Sequence, residues 1–407
     1  MTMQSASTLP ADFERRRLLD RDLYVGDPHA FFTVLRAHEP VYRDDAGIWG
    51  LTKLEDIRWA ERQPAIFSNS GGSRPNSPVQ ESMIDTDDPF HAEQRRIVSR
   101  GFTREQMTAH EGHVREVARR LVDRLLERGS GDIVTDIAKP LPMTLIGEML
   151  AAPESDYEML QRWSDQMITG ADGPENVTDD VVTAAFEYHE YITKVIAERK
   201  ERPGDDLVSK LVHADVLGEV MDDERVIGNA LLLLVGGNET TRNVITGGLD
   251  ALLRHPEQMA YTLARLDREG GLDTTIEECL RWVTPLLNMN RLTMSDVEVR
   301  GVTIPAGAQV LMCYVSANRD EEVFDDPFKF DVSRDPNPHI AFGWGPHLCM
   351  GMALARLEIR IILEELLGRA RQRGLELRLA DPAQVPEYGH SSFVRGIQSL
   401  PVALARV

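Results

Sequence analysis

The 407-residue chain is poor in cysteine, with only Cys279, Cys313 and Cys349. Three scattered thiols make no disulfide framework in a chain this long, so a reducing compartment is expected. Basic residues are also scarce: 45 Lys and Arg against 66 Asp and Glu leave a formal charge of −21. No general excess of cations is available to neutralise phosphates, which argues against a nucleic-acid binder. Long apolar runs are missing as well. The longest, Ala230–Val235, is far too short to cross a bilayer. Met1–Asp12 has no basic stretch leading into an apolar one, so no signal peptide is read. These absences point to a cytoplasmic protein with no membrane span.

No internal repeat and no dividing linker are visible. With 42% hydrophobic and 27% charged residues the composition is globular. The expectation is one domain over residues 1–407, with 1–12 a loose lead that includes the small, polar Ser5–Pro10. Asp27–Pro28 opens an amphipathic stretch to Ala37. Val41–Arg43 and Ile48–Thr52 flank Asp44-Asp45-Ala46-Gly47 as a hairpin. Ser68–Pro78, rich in Ser, Gly, Asn and Pro, reads as a long loop. Helical periodicity follows over His113–Arg128, Asp156–Ile168, Asp179–Lys200 and Glu224–Arg254. Short β-like runs come at Val297–Arg300, Gly301–Pro305 and Gln309–Tyr314. A last helix runs from near Met350 to about Arg373, where Gly374 is a natural stop. The class is mainly α, in an α+β arrangement with small sheets.

The most informative stretch is His339–Glu358, a Gly-rich loop feeding Cys349 and then a good helix former. Gly343 and Gly345 permit tight turns and close approach to a flat ligand. A cysteine just before a helix N-terminus meets free N–H groups and the positive end of the dipole, which favour thiolate. A thiolate so placed suits iron. Three other readings stand beside it: a small buried hydrophobe, a zinc site with His339 and His347, and a nucleophile. No paired-cysteine or paired-histidine spacing supports zinc.

Phe342-x-x-Gly345-x-His347-x-Cys349-x-Gly351, continued by Ala355-Arg356-Leu357-Glu358, resembles the haem-binding signature of the cytochrome P-450 superfamily. Three further motifs follow that pattern in order. Gly236-Gly237-Asn238-Glu239-Thr240-Thr241 interrupts a helical pattern, and paired glycines inside a helix cost about 1 kcal/mol each. Close packing against another helix would account for them; so would a helix that opens to admit a ligand. The run is similar to the superfamily's oxygen-activation motif, which implies that Glu239 and Thr240 deliver protons, and it weighs against peroxide-driven relatives. Glu278-x-x-Arg281 is on its own an ordinary i,i+3 pair; the resemblance makes it a structural lock on the Phe324–Phe330 meander. His91-Ala-Glu-Gln-Arg95 sets two cations on one helix face. Alone that is a solvated face, whereas the resemblance has His91, Arg95, Arg291 and His347 hold the haem propionates, a task suited to the planar guanidinium fork. Gly101-Phe102-Thr103 also fits.

The resemblance spans roughly residues 80–400. It implies a bacterial class I haem-thiolate monooxygenase with a helix-rich triangular-prism fold. Haem b would lie between the Gly236–Thr241 helix and the Cys349 helix, Cys349 binding the iron, with Phe342, Gly343, Gly351, Gly236 and Gly237 around it. One oxygen atom from O2 would enter a C–H bond. No nicotinamide or flavin fingerprint and no iron–sulfur cysteine cluster is present. Electrons from NAD(P)H would therefore arrive through a ferredoxin and its reductase, docking on a local basic patch of Arg95, Arg96, Arg100, Arg104, Arg356 and Arg360. The protein is expected to be a monomer. The implied pocket walls are Ser68–Ile84, Leu232–Thr240, Pro285–Asn290 and Ser392–Gln398. Their apolar members are Met83, Ile84, Leu233, Val235, Leu286, Leu287, Met289, Phe393 and Val394, a greasy and adaptable set, though several could simply be core. Phe67–Pro75, Met83–Pro89 and Phe393–Pro401 resemble actinobacterial enzymes that oxidise the side-chain terminus of cholesterol and cholestenone. Steroid or branched-lipid hydroxylation is the leading expectation. Tailoring of a macrolide or terpenoid is the alternative, and a haem protein that binds without turnover is a third.

Overall fold

The computed structural model describes residues 9–102 and 104–406, apart from the side chains of residue 100 and residues 104–108. Most of the expected lead, with Thr103 of the Gly101-Phe102-Thr103 run, lies outside them. Among the described residues are fourteen α-helices and twelve short strands. The strands form one five-stranded sheet, one three-stranded sheet and two hairpins. Among the described residues no helix is long and apolar enough to cross a membrane.

The central element is the helix Asp223–Arg254, 32 residues and thus about 48 Å long. Asp222 starts it by accepting the backbone N–H of Arg225. Val226, Ala230, Leu234, Val244, Ile245, Leu249 and Leu252 are buried along its length. Around it pack the helices Pro140–Met149, Tyr157–Gly170, Asp179–Glu201, Asp273–Val283 and Met352–Gln372. A helix with apolar residues on several sides can only be stable inside such a shell.

The paired glycines do not break this helix, contrary to the reading in which it opens: its backbone runs without interruption through 236–241. The two residues differ in their reasons. A Cβ on Gly237 would come 2.6 Å from Ile146 Cδ1, so close helix packing excludes a side chain. A Cβ on Gly236 would have only Leu232 of its own helix nearby, at 3.7 Å. Gly236 is exposed, between the partly buried Val235 and Gly237.

The five-stranded sheet orders Val41–Arg43, Trp49–Leu51, Gln309–Met312, Met289–Thr293 and Phe67–Ser68. The expected hairpin at Asp44–Gly47 is present, Val41 pairing with Leu51. Met289–Thr293, whose first two residues are an expected pocket wall and whose Arg291 is an expected propionate holder, is a strand next to the sheet's centre, pairing Met289 with Met312. The helix expected from His113 starts earlier, at Arg104.

Glu278 and Arg281 are both completely buried and joined at 2.7 Å. The exposed i,i+3 pair that the bare spacing describes is therefore not what forms. Arg281 donates to the carbonyls of Asn318, Pro327 and Lys329, while Glu278 accepts from Asp331 N and Asn337 Nδ2. The pair fastens the irregular 318–337 stretch to the helix Asp273–Val283, which fixes the approach of the chain to the cysteine loop.

Candidate functional site

The loop before Cys349 depends on two left-handed turns. Gly343 and Gly345 both have φ +69°, a conformation that costs other L-residues strain. At Gly345 space is as decisive as angle, because a Cβ would fall 2.2 Å from the carbonyl oxygen of Glu61. Cys349 N closes the loop by donating to Phe342 O at 2.9 Å. The Arg356 guanidinium covers the Phe342 ring at 4.7 Å. Gly351 caps the helix Met352–Gln372 with ordinary helical-side angles, so it serves through its N–H and not through φ.

Cys349 is the one cysteine that is not fully buried. Its surroundings push the thiol up, opposed by the N–H groups of Gly351 and Met352 and by the Arg95 and Arg356 guanidiniums. The dipole argument thus identifies real donors, yet desolvation outweighs them while no metal cation sits against the sulfur. Cys279 and Cys313, wholly buried, are pushed up on the same ground and have no such donors. Among the described residues no group of three or more His, Cys, Asp or Glu is placed to hold a metal, so the zinc reading lacks its ligand set.

Beside the loop the fold gathers the four expected cations. His91 and His347 stack with ring centres 3.9 Å apart. Arg95 donates to Leu348 O. Burial pushes His347 down to about 2, with Arg291, His91 and Arg95 adding repulsion. His91 is also lowered, mainly by burial; its Nε2 is buried with no partner. A cluster that suppresses its own charge while leaving a ring nitrogen unpaired is matched to an anion. Arg291 reaches Glu61 Oε1 at 2.8 Å and Asn290 O at 2.8 Å. Glu61 also accepts from Tyr314 Oη at 2.5 Å, and its Oε2 has no partner. Nothing in the sequence marks Glu61, because its partner lies 230 positions away.

These features fit a haem. They supply a thiol at a helix N-terminus, glycine turns that let backbone approach a plane, an open face at Gly236, and a cation cluster in which His91 Nε2 is buried without a partner.

On the central helix Thr240 Oγ1 donates to Gly236 O at 2.9 Å. Glu239, one residue away, points elsewhere: it is buried, accepts from Arg242, and has Oε1 unpaired. Arg242 Nη1 and Lys139 Nζ each reach Asp165 at 2.8 Å. Gln161 Nε2 joins Asp165 as well, and Asn238 Nδ2 donates to Gln161 Oε1. Burial raises Glu239 and the proximity of Asp165 raises it further, whereas Asp165, held by Arg242 and Lys139, is lowered. One proton therefore rests on Glu239 and the charge on Asp165. Lys139 and Asp165 are about one-third exposed, so the chain of groups reaches solvent. Sequence reasoning singled out Glu239 and Thr240 but not Arg242, one turn along the same helix, nor Asp165 and Lys139 on other elements.

The expected pocket residues scatter over several clusters. Met83 and Leu233 share one; Ile84, Leu286, Met289 and Phe393 share another. Leu287 is fully buried in a third, with Phe32 and Leu311. Val394 bridges Leu286 through its backbone, and Val235 is partly buried beside Gly236. The proposed basic patch is largely neutralised: Arg356 pairs with Glu277, Arg360 with Glu111 and Glu364, and Arg96 with Glu93. The side chains of Arg100 and Arg104 fall outside the described residues.

A family model described as cytochrome P-450 matches residues 271–372. The chain is 41% identical over 370 residues to a steroid C26-monooxygenase of Mycolicibacterium smegmatis, covering 90% of each. It is 39% identical over 368 residues to a methyl-branched lipid omega-hydroxylase of Mycobacterium tuberculosis, covering 88% of this chain and 84% of that one. A solved Mycobacterium marinum cytochrome P-450 in complex with pseudoionone superposes with a TM-score of 0.86 at 33% identity, covering 97% of this chain and all of that chain.

Proposed function

This chain belongs to the cytochrome P-450 family, and from that premise we propose that it hydroxylates the end of a steroid side chain or of a methyl-branched lipid. Its class is that of a haem-thiolate monooxygenase. The substrate part of the reading draws on relatives named for those two chemistries and on apolar residues at the expected pocket walls.

When bound, haem b supplies the activation of O2 and the insertion of one oxygen atom into a C–H bond. Cys349 would hold the iron. His91, Arg95, His347 and Arg291 would hold the propionates, His91 Nε2 being free to donate. Gly236 would leave room for the ring beside the central helix. Glu239 holds the proton needed during oxygen activation, and Thr240 Oγ1 passes it inward, turning from Gly236 O. Asp165, held by Arg242 and Lys139, passes a proton from solvent to Glu239. The apolar walls orient the substrate and exclude water. Electrons originate in NAD(P)H and pass through a ferredoxin and its reductase, and residues 1–407 act as one cytoplasmic, monomeric unit.

The observation that carries this reading is a cysteine with helix-start donors, beside a cation cluster whose His91 Nε2 is buried without a partner. The purified protein should be red, with the reduced carbon-monoxide absorption that names the family. Cys349→Ser should lose that absorption and all oxygenation even if it retains some haem; normal hydroxylation by this variant would overturn the assignment. A panel of sterols, fatty acids, terpenoids and macrolides, read by the substrate-induced spin-state shift, tests the substrate class. A response confined to macrolides would replace it.

A further inference from the structure

Arg74 sits in the loop after Phe67–Ser68 and is 4% exposed. Its guanidinium spends its donors on three other parts of the chain. Nη1 reaches Asn288 Oδ1 at 2.5 Å, Nη2 reaches Ser392 Oγ at 2.8 Å, and Nε reaches Ala171 O at 3.2 Å. Asp172 Oδ1 is 3.8 Å from Nη2, and the Phe393 ring lies 4.5 Å beneath the cation. The partners are joined to one another too. Ser392 donates to Asp172 Oδ1 through both N and Oγ, and Asn288 Nδ2 donates to Ser392 O.

Three of these segments are expected pocket walls, 68–84, 285–290 and 392–398. The fourth, 171–172, joins the helices Tyr157–Gly170 and Asp179–Glu201. We infer that Arg74 is a positioning residue that ties these four segments together around the proposed substrate pocket and thereby limits which substrates enter. The inference rests on the proposed monooxygenase reading, because only there do these segments wall a pocket.

The chemistry favours a clasp over inert core. Removing a guanidinium from water is costly, and an apolar side chain would fill the place at less expense. Burial pulls Arg74 down to about 10, with Asp172 opposing. Asp172 Oδ2 is buried without a partner, so the ion pair is incompletely satisfied. The planar fork addresses three directions at once, which a lysine ammonium on a flexible stem reproduces poorly. The loop has independent anchors: Asn290 N and Nδ2 donate to Ser73 O and Gly72 O, and Ser73 N donates to Asp85 Oδ1. Loss of the guanidinium therefore frees 171–172 and 392 from the loop without unfolding it.

The test uses the haem-loaded Arg74→Met and Arg74→Lys proteins. Both should keep the reduced carbon-monoxide absorption. In stopped flow, imidazole should associate with Arg74→Met about fivefold faster than with wild type, an effect of an eased conformational gate. Cholestenone titrated by spin-state shift should bind about tenfold more weakly, with kcat at saturation nearly unchanged. Arg74→Lys should fall between. If Arg74→Met fails to fold, Ser392→Ala cuts the same net and should shift both readouts in the same direction. Unchanged imidazole association with intact absorption overturns the inference, even if the melting temperature falls, since that outcome is mere structural support. A wild-type protein without the absorption sinks the underlying reading instead. If cholestenone does not bind, the imidazole rate still decides.

Discussion

Glu239 and Glu358 are buried carboxyls with opposite prospects. Glu239 has charged neighbours and a route to solvent, so its proton can be replaced. Glu239→Gln should lower kcat about a hundredfold, the usual contribution of a positioned acid, while leaving the spin-state titration of substrate unchanged. A weakened titration with kcat intact would remove Glu239 from the proton path. Glu358, on the cysteine helix, is pushed up to about 8 by complete burial, with the Thr241 hydroxyl pulling the other way. A carboxyl raised from 4.5 binds more protons folded than unfolded between those values. Its contribution to stability is therefore full below about pH 4.5 and is lost as pH rises toward 8. Glu358→Gln should flatten that slope and melt higher than wild type at pH 8.5, by thermal denaturation at several pH values. Equal slopes would show that Glu358 ionises freely in the folded protein.

At the scale of elements, the central helix separates two glycines that look alike in the sequence. Gly236→Ala should leave stability unchanged or raise it by up to about 1 kcal/mol, because helix propensity improves and no neighbour is met. Gly237→Val should cost about 1–3 kcal/mol in urea denaturation, because it overpacks Ile146. Similar effects at both positions would contradict the close approach of the helix Pro140–Met149. Periodicity revealed this helix and the cysteine helix to within two residues, since apolar positions recur at helical spacing along each. It failed at Met289–Thr293, which is buried on both faces and so shows no alternation. It also missed the first turns of Arg104–Arg128, where Arg104-Glu105-Gln106 and Gly112 carry no apolar repeat.

Across the whole molecule, long-range polar bonds were what the sequence hid. The haem signature is contiguous and could be read directly; Arg74 has partners 97, 214 and 318 positions distant, and no local pattern encodes them. Glu278–Arg281 shows the same limit, since the spacing is ordinary and only burial makes it decisive. Glu278→Ala or Arg281→Ala should each cost about 3–5 kcal/mol by leaving a buried charge alone, read as loss of folded, haem-loaded protein. Glu278→Gln with Arg281→Met together should cost less than the sum of the single losses. Strict additivity would mean that the two side chains stabilise the 318–337 stretch separately.

The arrangement of Lys139, Asp165, Arg242 and Glu239 has one more outcome. On the proposed reading, protons reach Glu239 through the partly exposed Lys139 and Asp165 while the substrate lies against apolar walls, so a greasy guest need not admit bulk water to have its acid replenished.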